Sequence, residues 1–159
     1  MGHPRHPRIE SLTVGNLLAE EVRPEAFVAP EMRIADVLAR MAQHRIDALA
    51  VWDGTAVRGV FSGQTWVQGC VTGVSPGDSV SAAMLARPLS VAPGEAVSTC
   101  LSLMQTQGCQ YLAVIDVGRW VGLLSVEELQ AALLRHYESI FREQELDQKI
   151  MFMQGTYSC

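Results

Sequence analysis

VAPEMRIADVLARMAQHRIDALAVWDGTAVRGVFSGQTW, residues 28–66, is written twice in this chain. Displaced by 63 positions it falls without a gap on VAPGEAVSTCLSLMQTQGCQYLAVIDVGRWVGLLSVEEL, residues 91–129. Val28-Ala29-Pro30 meets Val91-Ala92-Pro93, Met41 meets Met104, and Leu49-Ala50-Val51 meets Leu112-Ala113-Val114. Asp53, Gly59 and Ser62 meet Asp116, Gly122 and Ser125. Self-similarity at a fixed offset implies two copies of one supersecondary unit, neither of which can bury its apolar face alone.

Within each copy the residue periods define the elements. Ile34, Val37, Leu38 and Met41 recur at helical spacing, as do Val97, Cys100, Leu101 and Met104. Gly108 ends the second helix, and His44-Arg45 stands in its place in the first. Short apolar runs follow at Ala48 to Trp52 and Tyr111 to Ile115, as strands buried on both faces read. Asp53-Gly54 and Asp116-Val117-Gly118 predict turns, with return strands over Val57 to Phe61 and Trp120 to Leu124. Ser62 and Ser125 are candidate N-caps of the helices that come next. The first of these is expected to be short, interrupted by Gly69 and Gly73.

Outside the copies, Leu12, Val14, Leu17 and Leu18 predict one or two helical turns ending near Glu20, with Thr13 as a possible cap. Pro24 follows as a breaker. Val80 to Leu85 restates that lead-in, and Leu89 to Val91 restates the short strand at Phe27 and Val28. The helix after Ser125 meets no Gly or Pro until Gly155. Its apolar phase slips between the set ending at Ile140 and the set Leu146, Ile150, Met153. Its first half is expected to dock on the domain and its second half to project or meet a partner.

A chain of 159 residues suffices for one compact domain or two small subdomains sharing a core. A net charge of −5 gives no general attraction for nucleic acid or anionic lipid. Cys70, Cys100, Cys109 and Cys159 lack CxxC or metal-ligand spacing and are expected to be free thiols. The histidines are scattered, with His3 and His6 in a leader over residues 1–10 that is expected to be disordered. No apolar run has the length of a membrane span, and no secretory signal opens the chain, so a cytoplasmic location is expected.

The pattern Val-Ala-Pro, an apolar helix ending on Met, Leu-Ala-Val-x-Asp, then Gly-x-x-Ser opening a helix resembles the CBS domain, named after cystathionine β-synthase. Two copies resemble a Bateman module. The resemblance implies an α+β fold: two β-α-β-β-α repeats packed by pseudo-twofold symmetry, plus a long C-terminal helix. It divides the chain into repeats over 11–73 and 74–137 with a helical extension over 138–159. It implies a regulatory role, not catalysis. AMP, ADP, ATP or S-adenosylmethionine would bind as effectors in clefts between the copies, and two modules would pair into a homodimer.

The family's nucleotide motif is Gly, two apolar residues, Ser or Thr, two residues of any kind, then Asp. Phosphate sits beside the hydroxyl at a helix N-terminus, and the Asp accepts from the ribose hydroxyls. Gly122 to Glu128 fits at Ser125 and keeps two acceptor oxygens at Glu128. Gly59 to Thr65 fits at Ser62 but offers one uncharged hydroxyl at Thr65. Asp47, Gln110 and Tyr111 fall where the base is usually framed, and Tyr111 could stack on a purine. With Val91 and Arg45 these complete the expected ligand-binding set. The plain alternative for both serines is helix capping.

Two functions are set against each other: a ligand-sensing module, and a ligand-free interaction module acting through its dimer and last helix. An enzyme is not expected, because no nucleophile–base motif, Walker-type phosphate loop or metal constellation is present. Neither nucleic acid nor a membrane is an expected partner. The last helix resembles a connector feeding a following signalling domain, so a downstream protein partner is expected, and the chain reads equally as part of a longer signalling protein.

Overall fold

The computed structural model describes residues 12–18 and 26–157, with side chains described as far as residue 149. The leader, the end of the first helical turn near Glu20, the break at Pro24 and Cys159 lie outside the described residues, as do the side chains of Ile150 and Met151-Phe152-Met153.

Two three-stranded sheets repeat one topology. In the first copy β1 (Phe27–Val28) runs parallel to β2 (Ala48–Trp52), which pairs antiparallel with β3 (Val57–Ser62). Helix α1 (Ile34–His44) lies between β1 and β2, and α2 (Gly63–Val71) follows β3. The second copy gives β4 (Ser90–Val91), α3 (Val97–Gln107), β5 (Tyr111–Asp116), β6 (Arg119–Ser125) and α4 (Val126–Tyr157) in the same order. Even the register irregularity recurs, between Val51 and Trp52 and between Val114 and Ile115. The expected strands and amphipathic helices are all present. Ile34, Val37 and Met41 are buried on α1, and Val97, Cys100 and Met104 on α3.

The helix ends follow the rule that a left-handed residue closes a helix. Gly108 takes φ 67° there, and Arg45 adopts φ 54° at the equivalent position despite its side chain. Gly69 departs from expectation. It does not interrupt α2 but lies inside it, where an added Cβ would come to 3.0 Å from the Ala83 Cβ. Close helix packing, not a break, accounts for this glycine; Gly73, at φ 92°, follows the helix end.

The lead-in segments cross between the copies. The 3-10 turn Val14–Leu17 packs on the second copy's core, with Leu12, Leu17 and Leu18 against Val97, Leu112 and Leu124. The matching turn Val80–Ala82 packs on the first copy's core, with Ala83 and Met84 against Leu49 and Phe61. Backbone bonds fix both arrangements. Leu12 O accepts from Val97 N at 3.1 Å, and Val60 and Leu85 exchange bonds of 3.0 and 2.8 Å. Each core therefore needs chain from both ends of the repeat pattern.

The β2–β3 turn is held by one carboxylate. Asp53 accepts from the Thr55 and Ala56 backbone N–H groups at 2.8 and 2.9 Å and from Arg58 Nε. These bonds, the Ala56 and Thr55 amides foremost and then Arg58, lower its pKa from 3.8 to about 2. A depressed carboxylate pKa contributes stability that is present above its ordinary value and lost as pH falls through the folded one. The stability gap between the parent and Asp53→Asn should therefore be constant above about pH 4 and shrink toward about pH 2. Denaturant midpoints of both proteins across that window measure it; a gap independent of pH would refute this role for Asp53.

Helix α4 is a single helix over its whole length. Leu129 and Ala132 are buried against the second copy, Leu133, His136 and Ile140 partly so, and residues 141–149 are all exposed. The first half docks and the next turns stand clear. No helix among the described residues is long and apolar enough to cross a membrane.

Candidate functional site

The two copies meet around an open cleft of about 310 Å³. The first copy lines it with Met41 and Ile46 at the end of α1, Asp47 before β2, and Gly63 and Gln64 opening α2. The second copy lines it with Gln110 and Tyr111 at the start of β5 and Glu127 in the first turn of α4. Asp47 and Gln110 are equivalents at the 63-residue offset, and so are Gln64 and Glu127. The cleft thus lies where equivalent positions of the two copies converge.

Tyr111 crosses this junction. Its hydroxyl donates to the Asp47 backbone carbonyl at 3.4 Å, the one side-chain hydrogen bond joining the copies at the cleft among the described residues. Burial raises the phenol pKa above its ordinary value, and the carboxylates of Asp47, Glu127 and Glu128 push it further the same way. Negative charge therefore converges on this side of the cleft. No basic side chain among the described residues lines it.

Of the residues expected to bind ligand, Asp47, Gln110 and Tyr111 line the cleft. Ser62 and Ser125, both buried, do not line it; each precedes the helix whose first turn does, through Gly63 and Gln64 or Glu127. Ser62 Oγ accepts from the Thr65 N–H at 3.3 Å, and Thr65 Oγ1 accepts from the Ser62 N–H at 2.9 Å, a reciprocal capping box. The Thr65 hydroxyl also donates to the Ser62 carbonyl at 3.0 Å, so its donor and an acceptor site are both engaged. In the second copy Ser125 Oγ accepts from the Glu128 N–H at 3.1 Å and donates to Glu128 Oε1 at 3.2 Å. Glu128 is exposed, and its second carboxylate oxygen has no hydrogen-bond partner among the described residues. Val91 is partly buried in β4 opposite Val114, and Arg45 is exposed at the end of α1; neither lines the cleft.

Gln64 and Glu127 were not singled out from sequence, nor were Met41 and Gly63 as lining residues. The signal was available for the first two. Each stands two residues after a motif serine, at matched positions of the repeat. A first-turn residue of a helix pointing at a twofold junction meets its own equivalent there.

A CBS-domain family model matches residues 18–64. Among solved structures, a protein with CBS domains from Burkholderia ambifaria superposes at a TM-score of 0.70 with 25% identity, over 77% of this chain and 94% of that one. The protein CBSX2, solved in complex with AMP, superposes at 0.64 with 22% identity, over 78% and 97%. The CBS domain of the bacterial CNNM/CorC-family Mg2+ transporter, solved in complex with ATP, superposes at 0.64 with 19% identity, over 80% and 90%. No functionally curated protein matches the chain.

Proposed function

Because this chain folds as a tandem pair of CBS domains, we propose that it is a regulatory module that senses a small ligand in the cleft between its repeats. The observation that carries the reading is the cleft of about 310 Å³ to which both copies contribute lining residues. That volume suits a small molecule, and a ligand touching both copies changes how they sit on one another. Adenosine ligands are the first class to test, since the similar folds noted above were solved with AMP and ATP. The helix N-termini capped by Ser125 and Ser62 are the proposed phosphate positions, with Glu128 the proposed partner of the ribose hydroxyls. The proposed setting is the cytoplasm, and the proposed assembly is a homodimer.

Thermal melts with AMP, ADP, ATP and S-adenosylmethionine test the reading, because a ligand that binds only the folded chain raises its melting temperature. The copies should differ. Hydrogen bonds to a charged carboxylate contribute about 1.5–3 kcal/mol against about 1 for neutral pairs. Glu128→Gln should therefore weaken binding by about one to two powers of ten. Thr65→Ala should leave affinity unchanged and cost stability alone, about 1 kcal/mol, because the Thr65 hydroxyl is engaged in its capping box. Titration calorimetry on both variants checks this; weaker binding in Thr65→Ala with none lost in Glu128→Gln would reverse the assignment.

A second reading is favoured by α4, where Leu134, Phe141 and Leu146 are about three-fifths exposed. Such a surface suits a protein partner or a second copy. No stabilisation by any ligand would favour a ligand-free interaction module.

A further inference from the structure

We propose that the second half of α4 pairs with the same segment of a second copy of this chain, as a parallel two-stranded coiled coil. The inference rests on the homodimer reading and deepens it; nothing in it depends on what sits in the cleft. Helix α4 runs unbroken from Val126 to Tyr157, and its docked face ends at Ile140. Residues 141–149 are all exposed, Leu146 to 59%. A helix standing clear of its domain has no core beside it, so the period of its apolar residues shows what would cover it. From Leu146 the sequence steps by four, three and four residues to Ile150, Met153 and Tyr157. Alternating steps of four and three are the heptad pattern, with Leu146 and Met153 at d and Ile150 and Tyr157 at a. Isoleucine at a with leucine at d favours two strands. Leu134, Tyr137 and Phe141 fall on another side of the helix and are no part of this seam.

The flanking charges choose the occupant and its direction. In a parallel pair the g position of one helix faces the e position five residues on in the other. Here g is Arg142 and e is Asp147, so each copy's Arg142 meets the second copy's Asp147. Both side chains are exposed, and neither makes an ion pair among the described residues. In an antiparallel pair g meets g and e meets e, so Arg142 and Asp147 never face each other. Glu143 stands at the a position before Leu146, where a parallel pair sets like charges together. The seam therefore splays at Glu143, next to the domain, and closes from Leu146 onward. It is short, and an isolated helix of that length is marginal in water. The docked half of α4 removes this obstacle by supplying a helix already nucleated.

Sedimentation equilibrium and cysteine cross-linking of the full chain test the proposal. The chain should sediment at twice its own mass, and Leu146→Asp should weaken association by roughly a hundredfold or more. Arg142→Glu should weaken it roughly five- to tenfold, and adding Asp147→Arg should restore it, because the reversed pair attracts again. Charges that were merely solvated would show no such rescue. Leu146→Cys, placed in a Cys70→Ser, Cys159→Ser background, should give a disulfide-linked dimer with oxidised glutathione, because a parallel seam sets position 146 of one copy beside position 146 of the other. The background without Leu146→Cys should not cross-link. A single-chain mass throughout would overturn the homodimer and the seam together. A dimer that Leu146→Asp leaves unchanged would keep the homodimer and overturn the seam. Association lost in Leu146→Asp, with neither charge rescue nor a cross-link at position 146, would overturn the parallel pairing. Circular dichroism melts confirm that each variant is folded before its association is read.

Discussion

Gly59→Ala should destabilise the protein by about 3 kcal/mol, lowering its melting temperature by roughly 6–12 °C. A Cβ on Gly59 would lie 2.6 Å from the Leu85 carbonyl oxygen and 2.9 Å from the Met84 sulfur. The Met84 side chain can turn away, but Leu85 O cannot. It is the acceptor for Val60 N–H at 3.0 Å, and Leu85 N–H bonds back to Val60 O at 2.8 Å. Making room breaks the bridge that holds the second lead-in segment on the first copy. Gly122→Ala is the internal control. The atom in its way, at 2.5 Å, is Cδ2 of Leu18, the end of a flexible side chain. It should cost about 1 kcal/mol. Should the two substitutions cost the same, or Gly122→Ala more, close backbone approach is not the reason for Gly59.

Phe61→Ala should cost about 4 kcal/mol. Phe61 is fully buried among Ile34, Val37, Leu49 and Val80, and truncation leaves a cavity that surrounding strands fill only in part. The equivalent position in the second copy is Leu124, so the same backbone accommodates a smaller side chain there. Phe61→Leu should therefore recover most of the loss and cost about 1.5 kcal/mol or less. The crossed lead-in segments add a second expectation. Val14 supports the second core and Val80 the first, so damage at Phe61 should lower a single cooperative transition. Urea unfolding followed by tryptophan fluorescence and by circular dichroism measures both effects. Two separated transitions would mean that the copies stand independently.

The repeat made most of the fold legible. Apolar residues at period 3.6 defined α1 and α3, and unbroken apolar runs defined β2 and β5, because burial on one face or both leaves a direct mark on residue type. What the sequence did not reveal depends on contacts far along the chain. Gly69 reads locally as a helix breaker, yet it packs closely against Ala83, fourteen positions away. The crossing of Val14 and Val80 between cores has no local signature either, since either core would accept an apolar turn.

The candidate site was legible in part for a related reason. Asp47, Gln110 and Tyr111 precede or open a buried strand, where the repeat fixes their position closely. Ser62 and Ser125 were visible as both caps and ligand residues, and their hydrogen bonds give the capping arrangement directly. Thr65 reads as a weakened match to the ribose position, and its hydroxyl completes the capping box. Gln64 and Glu127 went unnoticed because neither breaks a pattern: a polar residue in the first turn of a helix is ordinary on a surface. Only the meeting of the copies turns those positions inward.

The central claim is that a ligand binds between the repeats and touches both. Hydrogen–deuterium exchange, with and without whichever of the four ligands gives the largest thermal shift, tests it most directly. Protection should appear together in segments 46–49 and 63–66 of the first copy and 109–112 and 126–128 of the second, which surround the cleft. Protection confined to one copy, protection only along α4, or no ligand-dependent protection anywhere would contradict the account.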